Sequence, residues 1–414
     1  MKIAVVGGGL AGLAIALGCE EGGHDVTLFE ASSELGGRMK TLRGESHPLD
    51  VGFHVLHTAY SALKRWIDVD ALDAKAMDAC TMTIAPSTGR RRLLGDALRS
   101  PRYLFPTLKS VGVADGLRFL RWRMRTRAND LERSMDAPSP TVSEGLVQRN
   151  FRRSTQRVLR PLFTGITLDP TLSERFAFAD FTWGAMSHGK MVMPREGIAA
   201  VPQQLATRLH STEVRMNTTV ESVSTTSVVV NGQHEMFDRV VLAVPQHVAG
   251  NMLPVTLKEH APNERMTTTV VFEAPHAPFT QPRLLLNEEW GLDGQRILHV
   301  HLPTNLHPHP EGRHWVVATL VGDDALTVNE EAVKTELSQW FGRSVDNWTH
   351  LANTTVRHAL PHIDPQHHAR AMPDLEVDGV LLAGDHRTHP SVQGTLRSAE
   401  RVLEHLNIPL PRRP

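Results

Sequence analysis

Three groups of residues in this chain are spaced for phosphate and hydroxyl chemistry. Gly7, Gly9 and Gly12 punctuate the run Gly7-Gly8-Gly9-Leu10-Ala11-Gly12, directly after the apolar Ile3-Ala4-Val5-Val6. Glu30 closes Val26-Thr27-Leu28-Phe29 and is followed by Gly36-Gly37-Arg38. Far downstream, Val380-Leu381-Leu382 leads into Ala383-Gly384-Asp385. A tight glycine turn lets backbone amides approach a pyrophosphate, and a carboxylate after the second strand accepts hydrogen bonds from ribose hydroxyls. The same carboxylate repels a 2′-phosphate, which disfavours NADP. Arg38 is a fixed cation with a planar donor fork suited to a diphosphate. Together these residues ask for a dinucleotide, and specifically for FAD.

The elements that must position them follow from local pattern. Residues 3–6 read as a buried parallel strand and Ala11–Glu21 as a helix whose N-terminal amides and positive dipole end face the phosphates. Gly22-Gly23 ends that helix, and residues 26–30 form the second strand. Elsewhere Thr268–Phe272 and Trp315–Leu320 read as strands and Glu330–Phe341 as an amphipathic helix.

Composition sets the outer bounds. A chain of 414 residues is too long for one core, so two domains are expected. The net charge of −1 gives no global pull toward nucleic acid. With the first strand starting at residue 3, no signal peptide is expected, and no apolar stretch reaches membrane-spanning length. Cys19 and Cys80 are the two cysteines, without metal-type spacing, so a reduced, cytoplasmic protein with no disulfide and no metal site is expected.

The segment Glu30-Ala31-Ser32-Ser33-Glu34-Leu35-Gly36-Gly37-Arg38 resembles the flavoprotein superfamily of amine oxidases, protoporphyrinogen oxidases and carotenoid desaturases. Asn217–Val223 resembles the family strand whose valine backbone, here Val220, meets the adenine edge. Arg239–Pro245 resembles the strand returning beside the cofactor. Ala383-Gly384-Asp385 and Pro390–Ala399 resemble the C-terminal flavin motif. The resemblance implies that Asp385 binds the ribitol of FAD and that a helix from about Gln393 aims its N-terminus at the flavin pyrimidine ring. Negative charge arriving there on reduction would be stabilised by that helix end. The cofactor set implied is Gly7, Gly9, Leu10, Ala11, Gly12, Glu30, Gly36, Gly37, Arg38, Gly52, Phe53, Val220, Gly384, Asp385, Ser391, Val392 and Gln393. FAD is expected to be held without a covalent bond, since neither cysteine falls in the flavin motif; His386 is the residual candidate for a link.

The implied fold is α/β: a Rossmann-type, glutathione-reductase-like FAD-binding domain interleaved with an α+β substrate domain. Motif order places the FAD domain at 1–75, 190–255 and 370–414, and the substrate domain at 76–189 and 256–369. Within the superfamily, Leu49–Leu56 with Tyr60, Arg160–Gly165 and Met193–Ile198 resemble the bacterial carotenoid-desaturase-like branch. Between Pro245 and the C-terminal motif the chain has only Lys258 and Lys334, whereas the amine oxidase branch places a Lys near the flavin.

The favoured reaction is dehydrogenation of a C–C bond in a hydrophobic substrate, isoprenoids among the candidates, by hydride transfer to flavin N5. The alternatives are C–N oxidation, protoporphyrinogen oxidation and, outside enzymes, lipid binding of the kind performed by the Rab GDP-dissociation inhibitors. Of 23 histidines, His54 is the candidate catalytic residue, because the resemblance places its loop beside the flavin and an imidazole titrates near working pH. Between Arg90 and Arg127 stand eleven Lys or Arg against two acids, interleaved with Leu, Phe and Trp. That composition suits either peripheral contact with an anionic membrane or a solvated basic face whose apolar side enters the core.

Overall fold

The computed structural model describes residues 1–43, 47–126, 132, 135, 138–253, 265–292, 294–342, 345–361 and 374–413. The expected boundaries at 255/256 and 369/370, together with Lys258 and Arg127, lie outside the described residues.

The apolar run after Met1 forms the strand Lys2–Val6, central in a six-stranded sheet. Its neighbours are Asp25–Phe29 on one side and Arg239–Leu242 on the other, both parallel to it. Glu213–Arg215 extends the sheet beyond the former and Val380–Leu382 beyond the latter, again in parallel, and Glu376–Val377 closes the edge antiparallel. Residues far apart in the chain thus meet in one layer, and the ends of these strands bring the three sequence motifs together.

Alternation along the first strand decides what covers each face. Ile3 and Val5 pack with the helix Leu10–Glu21 and the C-terminal helix Val392–His405. Ala4 and Val6 point the other way, onto a three-stranded antiparallel sheet of Val220–Val223, Ser227–Val230 and Gln233–Met236. The first helix is buried continuously from Leu10 to Cys19, which explains why it is apolar all round rather than amphipathic.

A second, seven-stranded sheet runs in the order Thr349–Leu360, Arg265–Ala274, His314–Val321, His299–His301, Leu285–Asn287, Cys80–Ala85, Arg90–Gly95. Its pairs are antiparallel except for Leu285–Asn287 with Cys80–Ala85. The helix Glu330–Phe341 packs Val333, Leu337 and Trp340 onto Val270, Phe272 and Val316 of this sheet. Asn329 caps that helix, its side chain accepting from the Ala332 amide at 2.9 Å. The helices Arg153–Thr167 and Phe176–His188 contribute to an aromatic core in which Trp122 stacks on Trp183 at 4.6 Å.

Residues 90–125 do not form one amphipathic helix. Arg90–Gly95 is a strand; Leu104–Val111 and Val113–Arg125 are separate helices broken at Gly112, whose φ is +81°. Among the described residues no helix is long and apolar enough to cross a membrane.

Candidate active site

The turn after the first strand is built on one close approach. Gly7 takes φ +105°, and its amide donates to the Phe29 carbonyl at 2.8 Å. A Cβ on Gly12 would lie 1.9 Å from the Gly7 carbonyl oxygen, so only glycine lets the helix start this near the strand. Gly9 is different. Its φ of −76° suits any residue, and a Cβ there would meet only the Gly37 Cα, at 3.8 Å, within 4 Å. The space above Gly9 is bounded by the second glycine pair, since the Gly36 amide donates to the Gly8 carbonyl at 2.8 Å. The first turn of the helix carries no acidic side chain, so its amides and dipole are available to an anion.

Glu30 stands beside this turn. Its Oε2 accepts from the Gly8 amide at 2.7 Å, and its Oε1 accepts from the Ser32 amide at 2.8 Å. The single Ser32 hydroxyl proton has two acceptors at 2.7 Å, Glu30 Oε1 and the Glu34 carbonyl. With that proton on Glu34, each carboxylate oxygen keeps an accepting site, which fits the two hydroxyls of a ribose.

At the far end of the cradle Asp385 begins a short 3-10 turn after the strand Val380–Leu382 and is 5% exposed. Its Oδ1 accepts from Arg38 Nη2 at 2.7 Å, and Arg38 Nη1 donates to the Ala359 carbonyl at 2.8 Å. Ser391 caps the C-terminal helix, accepting from the Gly394 amide at 3.0 Å. The Ser391 hydroxyl also meets His389 Nδ1 at 3.0 Å, and His389 Nε2 meets Glu132 Oε1 at 3.2 Å. Glu132 was not evident from sequence, since it comes to this helix end from 257 residues away and belongs to no motif.

These parts line one cavity of about 590 Å³. Gly7, Gly9, Leu10, Ala11, Glu30, Gly36, Gly37, Arg38, Phe53, His54, Val220, Gly384, Asp385, Ser391 and Val392 all lie in its wall. Three expected cofactor residues do not. Gly12 is spent on helix–turn packing. Gly52 is a turn residue at φ +92° next to the wall. Gln393 is turned inward, its Oε1 accepting from the Ala62 amide at 2.9 Å and its Nε2 donating to Ser61 and Glu132. Lys334 is also remote from the cavity wall: it sits on the helix Glu330–Phe341, ion-paired to Glu330 at 3.3 Å.

The loop carrying Phe53 and His54 is fixed from below by Asp50. That carboxylate accepts from Thr41 Oγ1 at 2.6 Å and from the Ile198 amide at 2.8 Å. Its burial pushes its pKa up, against the pull of the nearby His54 and these two donors. His54 Nε2 lies 2.9 Å from the Val51 carbonyl. Phe53 packs edge-on against His299 and His301, at 4.9 and 4.7 Å between ring centroids. Alternation along a strand puts those two histidines on one face; their spacing alone gave no reason to link them to Phe53.

Three further histidines of the cavity wall, His57, His299 and His386, are buried, each with one ring nitrogen lacking a protein partner: Nδ1, Nδ1 and Nε2. Those three nitrogens are closed off from the cavity, so each ring presents its other edge or its face to the wall. The open volume over Gly9, the accepting Glu30 and the cation at Arg38 together fit a dinucleotide. Glu30, Gly9 and Arg38 would hold its adenosine and pyrophosphate, and Asp385 and the helix end at Ser391 its distal half.

Fold and cavity together fit a dinucleotide-binding protein. The sequence model of the flavin containing amine oxidoreductases matches residues 10–405, and the chain belongs to that family. That family is one of flavin-containing oxidoreductases, and this chain has its Rossmann-type fold. It is similar over 61 residues, at 39% identity, to the zeta-carotene desaturase of Synechocystis sp., and over 52 residues, at 46%, to the 4,4'-diapophytoene desaturase of Staphylococcus aureus. Those matches span 14% and 13% of this chain but only 12% and 10% of the two desaturases. Among solved structures, putrescine oxidase bound to putrescine superposes with TM-score 0.67 at 18% identity, covering 98% of this chain and 99% of that one. Cyclohexylamine oxidase from Brevibacterium oxydans gives 0.69 at 15%, covering 98% and 99%. At such identities the likeness is one of fold.

Two consequences are measurable. Asp385→Ala removes the buried acceptor and strands Arg38. A lost buried hydrogen bond costs about 1–3 kcal/mol, so FAD titration should show affinity at least about tenfold weaker; affinity equal to wild type would remove Asp385 from the cofactor site. The buried histidines set an acid limit. Burial holds His57 and His386 down to about 4, for the latter against the raising effect of Asp385. Burial likewise brings His299 and His301 to about 3, with His301 adding to the effect on His299. Each stays neutral in the native state while the unfolded chain takes a proton below about pH 6.5. Stability should therefore be full above that pH and fall toward pH 4 by about 1.4 kcal/mol per unit for each group. Urea unfolding at pH 7.5 and 5.0 should separate clearly; equal midpoints would mean that these imidazoles are not buried neutral.

Proposed function

We propose that this chain dehydrogenates a C–C bond of a hydrophobic substrate, isoprenoids being the class that fits best. The observation that supports this reading is the wall of the cavity beyond Asp385. Met77, Leu162, Ile166, Met186, Met191 and Leu286 line it, and its charged lining residues, Glu30, Arg38 and Asp385, lie at the dinucleotide end. An apolar chain loses nothing by entering such a space, whereas a charged amine would be desolvated without a partner. The local likeness to two carotene-type desaturases points the same way.

FAD, when bound, accepts a hydride from the substrate. Forming a C=C bond also releases a proton from the neighbouring carbon, and the chain must accept it. We assign that role to His54, which lines the cavity. The Val51 carbonyl can only accept, so the contact at 2.9 Å puts the imidazole proton on Nε2 and leaves Nδ1 with a free lone pair. Phe53, braced between His299 and His301, shapes the wall next to it. The cofactor is held without a covalent bond in this reading: Cys19 and Cys80 are buried thiols outside the cavity wall.

The test is anaerobic mixing of the FAD-loaded protein with a panel of isoprenoid polyenes, amines and porphyrinogens, following loss of flavin absorbance. Bleaching by a polyene and not by amines is the expected result, with acid precipitation of the same sample leaving the flavin in solution. His54→Ala should keep FAD and slow bleaching by about a hundredfold, the scale of one acid–base group. Bleaching by an amine alone would overturn the substrate class, and wild-type speed in His54→Ala would make that residue a structural part of its loop.

A further inference from the structure

A helix on the surface of a globular protein turns its apolar stripe inward. Helix Val113–Arg125 has two apolar stripes and buries only one. Phe119 and Trp122 enter the aromatic core together with Asp115, which accepts from Arg118 at 2.5 Å and from Thr155 Oγ1 at 2.5 Å. On the opposite face stand Val113, Leu117, Leu120 and Met124, exposed by 64%, 62%, 40% and 68%. Their spacing of four, three and four residues puts them in one line along the outer surface. Leu104 and Phe105 of the preceding helix are exposed as well, Phe105 by 81%, and so is Leu98. Of the fourteen large apolar side chains exposed among the described residues, seven fall between Leu98 and Met124. A patch so concentrated marks an interaction site.

The charge around the patch identifies the occupant. At 100° per residue, Arg121 and Arg125 flank the stripe on one side and Arg123 on the other. Lys109 and Arg121 are exposed and have no ion-pair partner among the described residues. Arg123 is paired with Asp96, but an apolar stripe beside the unpaired, exposed Lys109 and Arg121 complements the boundary between acyl chains and anionic headgroups.

Behind the patch lies a second cavity of about 370 Å³, walled by Leu98, Leu104, Val113, Leu117 and Leu120 on its outer side. Met77, Thr81, Leu162, Met186 and Met191 line both this cavity and the one assigned to FAD and substrate. The two spaces share a wall of flexible methionines, and the outer one is rimmed by the exposed stripe.

We propose that the outer face of helices Leu104–Val111 and Val113–Arg125 seats on an anionic lipid surface, and that the second cavity is the passage through which a lipid-dissolved substrate reaches the first. The passage rests on the dehydrogenase reading; the seating does not.

The experiment is sedimentation of the FAD-loaded protein with vesicles of phosphatidylcholine, pure or mixed with phosphatidylglycerol, over a range of salt. The wild type should pellet with the mixed vesicles, release as salt rises, and bind pure phosphatidylcholine much more weakly. Each basic residue near such a surface contributes about fivefold to binding. The exposed double variant Lys109→Glu/Arg121→Glu should therefore bind at least tenfold more weakly, and so should Phe105→Ser/Leu117→Ser/Met124→Ser, both with unchanged flavin absorbance. Wild-type protein that stays in solution with mixed vesicles overturns the seating, as does vesicle binding that neither variant weakens. A wild-type dimer by light scattering that the triple variant dissociates also overturns it, because the face then belongs to a second copy. Vesicle binding as expected, without flavin bleaching by any polyene, leaves the seating standing and removes the passage together with the dehydrogenase reading. The charge variant changes only exposed side chains, so it decides the matter even where the triple variant fails to fold.

Discussion

Everything in this molecule is arranged around the contact between Gly12 and the Gly7 carbonyl. There the first helix meets the turn of the first strand so closely that no side chain fits. This approach sets the helix axis over the parallel sheet and aims the helix N-terminus at the space above Gly9. The C-terminal helix then packs tightly against the first: a Cβ on Gly18 would fall 2.4 Å from Leu403. That packing brings Ser391, at the start of the C-terminal helix, close to Asp385, which follows the sheet strand Val380–Leu382. The cavity is a consequence of two close helix contacts, not of a loop folded round a ligand.

Polarity is sorted along the length of the cavity. Around Glu30, Arg38 and Asp385 the wall is charged and its hydrogen bonds are specific; beyond Asp385 it is methionine, leucine and phenylalanine, with buried neutral imidazoles between. Keeping those histidines uncharged makes the middle of the cavity polar without making it ionic, which suits a ring system that is neutral when oxidised. The same sorting continues outward, where the stripe from Val113 to Met124 presents aliphatic side chains to the surroundings and arginines to either side.

The cofactor end of the molecule was legible in the sequence because its residues are dictated by backbone geometry. A turn that needs φ +105° at Gly7 and no Cβ at Gly12 leaves a glycine pattern in the chain, and the strands around it leave apolar runs. The helix from Glu330 to Phe341 was legible for a similar reason, its buried Val333, Leu337 and Trp340 following helical spacing. Gln393 shows the limit of motif reading: it stands in the flavin motif, yet its amide serves Ala62 and Ser61 inside the protein. Long-range partners such as Glu132 with His389, or His299 and His301 with Phe53, had no signal, because a side chain fixed by tertiary packing needs no local pattern. The basic segment was read correctly in composition, but its apolar residues go both inward and outward, a division that only the packing of Trp122 on Trp183 decides.

The central claim is that the space above Gly9 is kept open for the cofactor and not for the fold. Gly9→Ala tests it directly, because the protein itself leaves room for that methyl group, with its nearest neighbour within 4 Å being the Gly37 Cα at 3.8 Å. FAD titration and thermal melting of the flavin-free protein are the two readouts. The melting temperature should equal that of the flavin-free wild type while FAD affinity falls by at least about tenfold, the cost of pushing a pyrophosphate off its backbone amides. Unchanged FAD affinity in this variant would contradict the account.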